Sequence, residues 1–144
     1  MNIELASTCV LYFSIVGYLY TSTPASGDEQ GGIHIEVVDQ NGVIVVNDYY
    51  DFEEKISLFD ILNENYQIGC ADSSYNIDYT CEFEVLNNHM ILAIESVETD
   101  WYNSFLEITI NGVESQYGVD SIMLEDDMVY RLQYTSLGGV SEWV

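Results

Sequence analysis

The stretch that decides the fold runs Trp101-Tyr-Asn-Ser-Phe-Leu-Glu-Ile-Thr-Ile-Asn-Gly-Val-Glu-Ser-Gln-Tyr-Gly-Val-Asp-Ser-Ile-Met-Leu-Glu-Asp-Asp-Met-Val-Tyr-Arg-Leu-Gln-Tyr134. Residues 105–110 place apolar and polar side chains in alternation, the period of a half-buried strand. Asn111-Gly112 follows, a pair that tolerates positive φ at both positions and so closes a two-residue hairpin. Residues 113–117 return from that turn, and residues 128–134 alternate again as a closing strand. Three runs joined by short turns make a small antiparallel sheet whose connections face outward.

Working outward, the pattern repeats upstream. Ile33-His34-Ile35-Glu36-Val37-Val38 alternates, Asn41-Gly42 marks a turn, and residues 43–46 read as the returning strand. Residues 49–54 read as a transition. Ser57-Leu58-Phe59-Asp60-Ile61-Leu62-Asn63-Glu64-Asn65 is the one helical segment. Leu58, Phe59, Ile61 and Leu62 fall on one face at three- and four-residue spacing, and Ser57 is placed to cap the helix start. Residues 66–80 read as a polar, tyrosine-containing loop. Residues 81–85 alternate as a strand, Asn87-Asn88 as a turn and residues 89–94 as a further strand, with 97–103 connecting onward. One helix with a hairpin before it and antiparallel strands after it is an α+β arrangement. The order fits a β-grasp, in which a mixed sheet packs on a single helix.

The chain has 144 residues, enough for one domain and too few for two full cores. Hydrophobic residues make up 48%, which argues against a disordered chain. Against 25 acidic residues stand only Lys55 and Arg131, a net charge of −23. Such a surface repels nucleic-acid phosphates and anionic lipid headgroups and attracts cations and basic proteins.

Residues 9–20, Cys-Val-Leu-Tyr-Phe-Ser-Ile-Val-Gly-Tyr-Leu-Tyr, form an apolar run too short to span a bilayer but of the length of a signal-peptide core. Thr23 and Ala25 supply small residues for a cleavage site, although Met1–Leu5 carries no Lys or Arg. The expected organisation is a signal-like segment and linker over 1–30, a β-grasp-like domain over 31–136 and a tail over 137–144. The expected location is secreted or cell-surface, without a stable membrane span. In that oxidising setting Cys70 and Cys81, which enclose ten residues, are a candidate disulfide.

With these pieces in order, the chain resembles the transcobalamin C-terminal-like domain family, β-grasp modules of secreted bacterial proteins and of vertebrate cobalamin carriers. The resemblance covers residues 56–135. It rests on Ser57-Leu58-Phe59-Asp60-Ile61-Leu62, on residues 90–97, on Ile108-Thr109-Ile110-Asn111-Gly112, on Gly118-Val119-Asp120-Ser121-Ile122-Met123-Leu124 and on the final Tyr130–Tyr134 run. Two features depart from the family pattern. Asp126-Asp127 stands where a Gly-Asp is usual, and Trp101 precedes Asn111 by ten residues instead of a few. The resemblance implies a binding module and, by analogy alone, a cobalamin-type ligand.

Catalytic patterns are absent from the sequence. There is no phosphate-cradling glycine loop and no serine elbow. His34, His89, Cys70 and Cys81 show no zinc spacing, so no metal site and no cofactor is expected. The oxygen groups of the turns, Asp39 with Asn41 and Asp48 and Glu125 with Asp126 and Asp127, are of the type that suits Ca²⁺, without an EF-hand pattern. Aromatic residues are the other resource. Tyr66, Tyr75, Tyr79, Trp101 and Tyr102 fall in segments read as loops, where a large ring with a polar tip favours recognition. The expectation is a non-enzymatic extracytoplasmic module, monomeric or weakly oligomeric, that binds an unidentified small ligand or protein through these loops. The alternative is an assembly domain packing on a larger protein. A concave pocket beside Trp101 would favour the first and an exposed sheet edge the second.

Overall fold

The computed structural model describes residues 26–137. The signal-like apolar segment of residues 9–20 and the tail beyond 137 lie outside the described residues.

Among the described residues, nine strands and one helix follow one another: β1 (Gly31–Val38), β2 (Ile44–Phe52), α1 (Leu58–Asn65), β3 (Ile68–Ala71), β4 (Ile77–Asp78), β5 (Ile91–Ile94), β6 (Val97–Glu98), β7 (Ser104–Ile110), β8 (Val113–Glu114) and β9 (Met128–Ser136). The fold is α+β, mostly strand with one short helix. A five-stranded mixed sheet has the order β2-β1-β9-β7-β8, and a four-stranded sheet the order β4-β3-β5-β6.

In the larger sheet the first and last strands run parallel at the centre, with Ile35 opposite Tyr130 and Glu36 opposite Arg131. Every other pairing in that sheet is antiparallel, and both Asn-Gly pairs turn hairpins. Gly42 and Gly112 adopt φ of 77° and 82°, which a residue with a Cβ enters only at a cost. The parallel pair β1–β9 is expected only when a long connection separates its strands, and α1 lies within that connection.

Helix α1 forms where sequence and tertiary context agree. Ser57 caps it, its Oγ accepting from the Asp60 N–H at 3.1 Å. Two further N–H groups of the first turn donate outside the helix, Leu58 to the Ile122 carbonyl at 2.7 Å and Phe59 to the Val119 carbonyl at 3.1 Å. Residues 119–122 thereby satisfy donors that a helix start otherwise leaves open. Leu58, Phe59, Ile61 and Leu62 are all buried. They join Ile35, Val37, Ile94, Leu124, Tyr130 and Leu132 in one apolar core.

Three sequence expectations are corrected. Residues 66–80 are not one loop, because Ile68–Ala71 is a fully buried strand and Ile77–Asp78 pairs with it. Strand β3 fits there because residue 69 is glycine. A Cβ on Gly69 would come within 2.4 Å of Ile77 Cγ2. Residues 81–85 form no strand despite their alternation. Cys81 sits at a φ of 52°, and Val85 makes only an isolated bridge to Asn88. Residues 49–52, read as a transition, continue β2.

Candidate functional site

Two connections meet near the start of α1. Phe59 stands in the first turn of the helix. His89 lies in the long connection from β4 to β5, and Asp120 in the connection from β8 to β9. The Phe59 N–H bond to Val119 fixes the neighbour of Asp120 against the helix. Gly118 allows the close approach on the other side, since a Cβ there would lie 2.6 Å from Asn88 Oδ1.

At that junction the His89 backbone N–H donates to Asp120 Oδ2 at 2.5 Å, and His89 Nδ1 lies 2.9 and 3.0 Å from the two Asp120 oxygens. Glu84 Oε1 stands 3.9 Å from the same Nδ1. The ring of His89 stacks on Phe59 with centroids 3.9 Å apart. His89 and Asp120 are largely shielded, whereas Glu84 is half exposed. Glu84, His89 and Asp120 each offer one ligand atom, and these atoms all lie within 4.8 Å of one another. An imidazole nitrogen with two carboxylates is a donor set that suits Zn²⁺-type ions, with three protein ligands leaving coordination positions open.

A cleft of about 330 Å³ opens beside this cluster, and His89 belongs to its wall. The remaining wall is mainly apolar, with Val85, Leu86, Met90, Leu106, Ile108 and Val119 among its residues. The cleft is therefore beside His89 and not beside Trp101.

The aromatic residues singled out in the sequence divide into separate groups. Tyr75 and Trp101 do meet, stacked at 5.6 Å with planes 11° apart. Both are held at positive φ, 61° and 69°. The Trp101 loop is shaped by Asp100, whose Oδ1 accepts from the backbone N–H groups of Asn103 and Ser104. Those bonds, Asn103 foremost, hold its carboxyl below the usual range. Tyr102 is exposed, and Tyr79 donates to Glu98 Oε1 at 2.9 Å. Tyr66 lies apart from these. At the end of α1 its hydroxyl donates to Asp48 Oδ2 and accepts from Tyr50, both at 2.7 Å. Burial and these bonds push the Tyr66 phenol well above its ordinary pKa.

Cys70 and Cys81 form a disulfide, the pair expected for an oxidising compartment. His34 pairs with Asn47 and stacks on Tyr49, away from His89. Two acids of the turns are engaged by backbone N–H groups. Asp39 accepts from Asn41 and Val43, and Asp126 accepts from Gly32. Glu84 and Asp120 escaped the sequence reading. Their signal exists only in space, since Asp120 is one acid among 25 and lies 31 residues from its partner.

No family model and no curated protein matches the chain. Among solved structures, the chain is similar to a protein of Ruminococcus gnavus ATCC 29149 described as a "putative metal binding protein". The two share 16% identity with a TM-score of 0.50, over 74% of this chain and 97% of that one. At that identity the likeness is one of fold.

Proposed function

We propose that this chain is a non-enzymatic extracytoplasmic binding module on a β-grasp scaffold, and that its site takes a divalent cation at Glu84, His89 and Asp120. The carrying observation is the convergence of three ligand atoms from two connections within 4.8 Å. A chain of net charge −23 concentrates cations at its surface. The imidazole ligand favours a first-row ion such as Zn²⁺ over Ca²⁺ or Mg²⁺, which take oxygen sets. The description of the R. gnavus protein as metal binding points the same way.

The scaffold reading is supported by the parallel β1–β9 pair with α1 in its connection. It accords with a transcobalamin C-terminal-like domain, although a cobalamin-type ligand rests on that sequence resemblance alone. A role outside the cytoplasm is supported by the disulfide, and among the described residues no helix is long and apolar enough to cross a membrane. The non-enzymatic reading is supported by Cys70 and Cys81, whose sulfurs are bonded to each other and so offer no thiolate nucleophile.

Calorimetric titration of chelator-treated protein with Zn²⁺ tests the cation site. One ion per chain is expected, with binding lost in His89→Ala and Asp120→Asn. Unchanged binding in both variants would refute it.

A second reading, an assembly domain, is favoured by β2. This nine-residue strand stands at the end of its sheet and exposes Ile44, Val45 and Tyr49. Such an edge is a template for strand addition. Under this reading Val45→Lys abolishes partner capture and leaves Zn²⁺ binding intact.

A further inference from the structure

We infer that the cleft and the cation cluster act together as one site for an amphipathic carboxylate. The head group completes the coordination of the cation, and the apolar body lies in the cleft beneath Leu86. The inference rests on the cation reading above.

His89 joins the two halves, because it belongs both to the cleft wall and to the ligand cluster. The cleft volume of about 330 Å³ is of the size that holds small ligands. Its wall offers few polar groups, so the body it accepts is apolar. Leu86 stands at the lip, 91% exposed and at a φ of 52°. A leucine in the left-handed region and in water is unfavourable on both counts. An apolar body in the cleft would remove the second cost.

Charge selects the head group. Without a cation, the cluster that shares His89 with the cleft carries Glu84 and Asp120 in a chain of net charge −23 and repels anions. Two carboxylates, a neutral imidazole and a divalent cation sum to no net charge. Three protein ligands also leave open positions that a carboxylate oxygen can fill. Anion binding is thus conditional on the cation, and the coupling is reciprocal: each ligand tightens the other by the same factor.

The probes are octanoate, octylamine and Zn²⁺, followed by calorimetry on the folded chain. Octanoate is expected to bind at least about tenfold more tightly with Zn²⁺ present than after chelation, and to tighten Zn²⁺ binding by the same factor. Leu86→Asn tolerates the same backbone conformation. It is expected to weaken octanoate at least about fivefold while leaving Zn²⁺ binding as it was. Zn²⁺ binding without octanoate binding overturns this inference and leaves the cation site standing. So does octanoate binding that ignores Zn²⁺, or octylamine binding to the empty protein that Zn²⁺ displaces. Absence of Zn²⁺ binding overturns both.

Discussion

The imidazole of His89 lies face to face with the ring of Phe59, centroids 3.9 Å apart and planes within 8°. That contact sets the plane of the ring, while Asp120 holds Nδ1 from the side. A flat partner does what an aliphatic one cannot, because it restrains rotation of the imidazole as well as its position. Phe59→Leu is therefore expected to weaken Zn²⁺ binding several-fold without abolishing it, and to cost about 1 kcal/mol for the lost ring pair. Zinc titration and urea unfolding read the two effects separately. Equal zinc affinity in the variant would show that the stack only packs.

Cation removal should be visible as lost stability. An ion that binds the folded chain alone adds about 2.7 kcal/mol when present at 100 times its dissociation constant. The midpoint of thermal unfolding should rise with Zn²⁺, fall again on chelation, and not respond in His89→Ala. A response of equal size in His89→Ala would locate the ion elsewhere.

The disulfide bears on the site as well as the fold. It ties Cys70 in β3 to Cys81, where the connection carrying Glu84 and His89 begins. Both cysteines are buried, and their sequence separation is 11. Replacing both by Ala should cost about 2–3 kcal/mol, chiefly through the freedom regained by the unfolded chain. It should also weaken Zn²⁺ binding, because the connection loses its anchor. Chemical unfolding of the double variant gives the first number and titration the second. A variant as stable as the parent would mean that the bridge merely decorates a connection already fixed by packing.

The elements legible in the sequence are those with signals a few residues long. Asn41-Gly42, Asn111-Gly112 and the Ser57 cap are such signals, and each lies where the sequence indicated. Strand β3 was illegible because its four residues, Ile68-Gly-Cys-Ala71, are buried on both faces and show no alternation. Residues 81–85 misled in the opposite sense, since their alternation is real but Cys81 leaves the extended region. Of the aromatic residues, Tyr75 and Trp101 come together, whereas Tyr66 is turned toward Asp48. The cluster of Glu84, His89 and Asp120 could not be read at all. Nothing local distinguishes Asp120 from the other acids until Gly118 and the start of α1 bring it to His89.

Glu36 and Arg131 face each other across the central parallel pair, with Nη2 3.3 Å from both carboxylate oxygens. Glu36 is buried, while the Arg131 side chain is over a third exposed, so solvent weakens the pair. Removing the arginine alone is still costly, because it strands a shielded carboxylate. Arg131→Met is expected to cost about 1–3 kcal/mol, less than a fully buried pair would lose. Glu36→Gln in the same chain should restore most of that loss. The double-mutant cycle measured by urea unfolding decides it. Additive losses would show that the two side chains act independently.

Alkaline pH should unfold the protein through its tyrosines. Burial, foremost, raises the phenol of Tyr66 and that of Tyr130, the latter fully enclosed in the core. A folded pKa above the unfolded value means stability that is complete below the unfolded pKa of about 10. It is lost as pH rises beyond that value, because only the unfolded chain releases these protons readily. Phenolate absorbance should therefore show one class of tyrosines that ionises with the native circular dichroism intact and a second that ionises only as the signal collapses. Tyr130→Phe removes one proton from the second class and should raise the midpoint of alkaline unfolding. Ionisation of all twelve tyrosines in a chain that keeps its native signal would show that neither phenol is sealed by the fold.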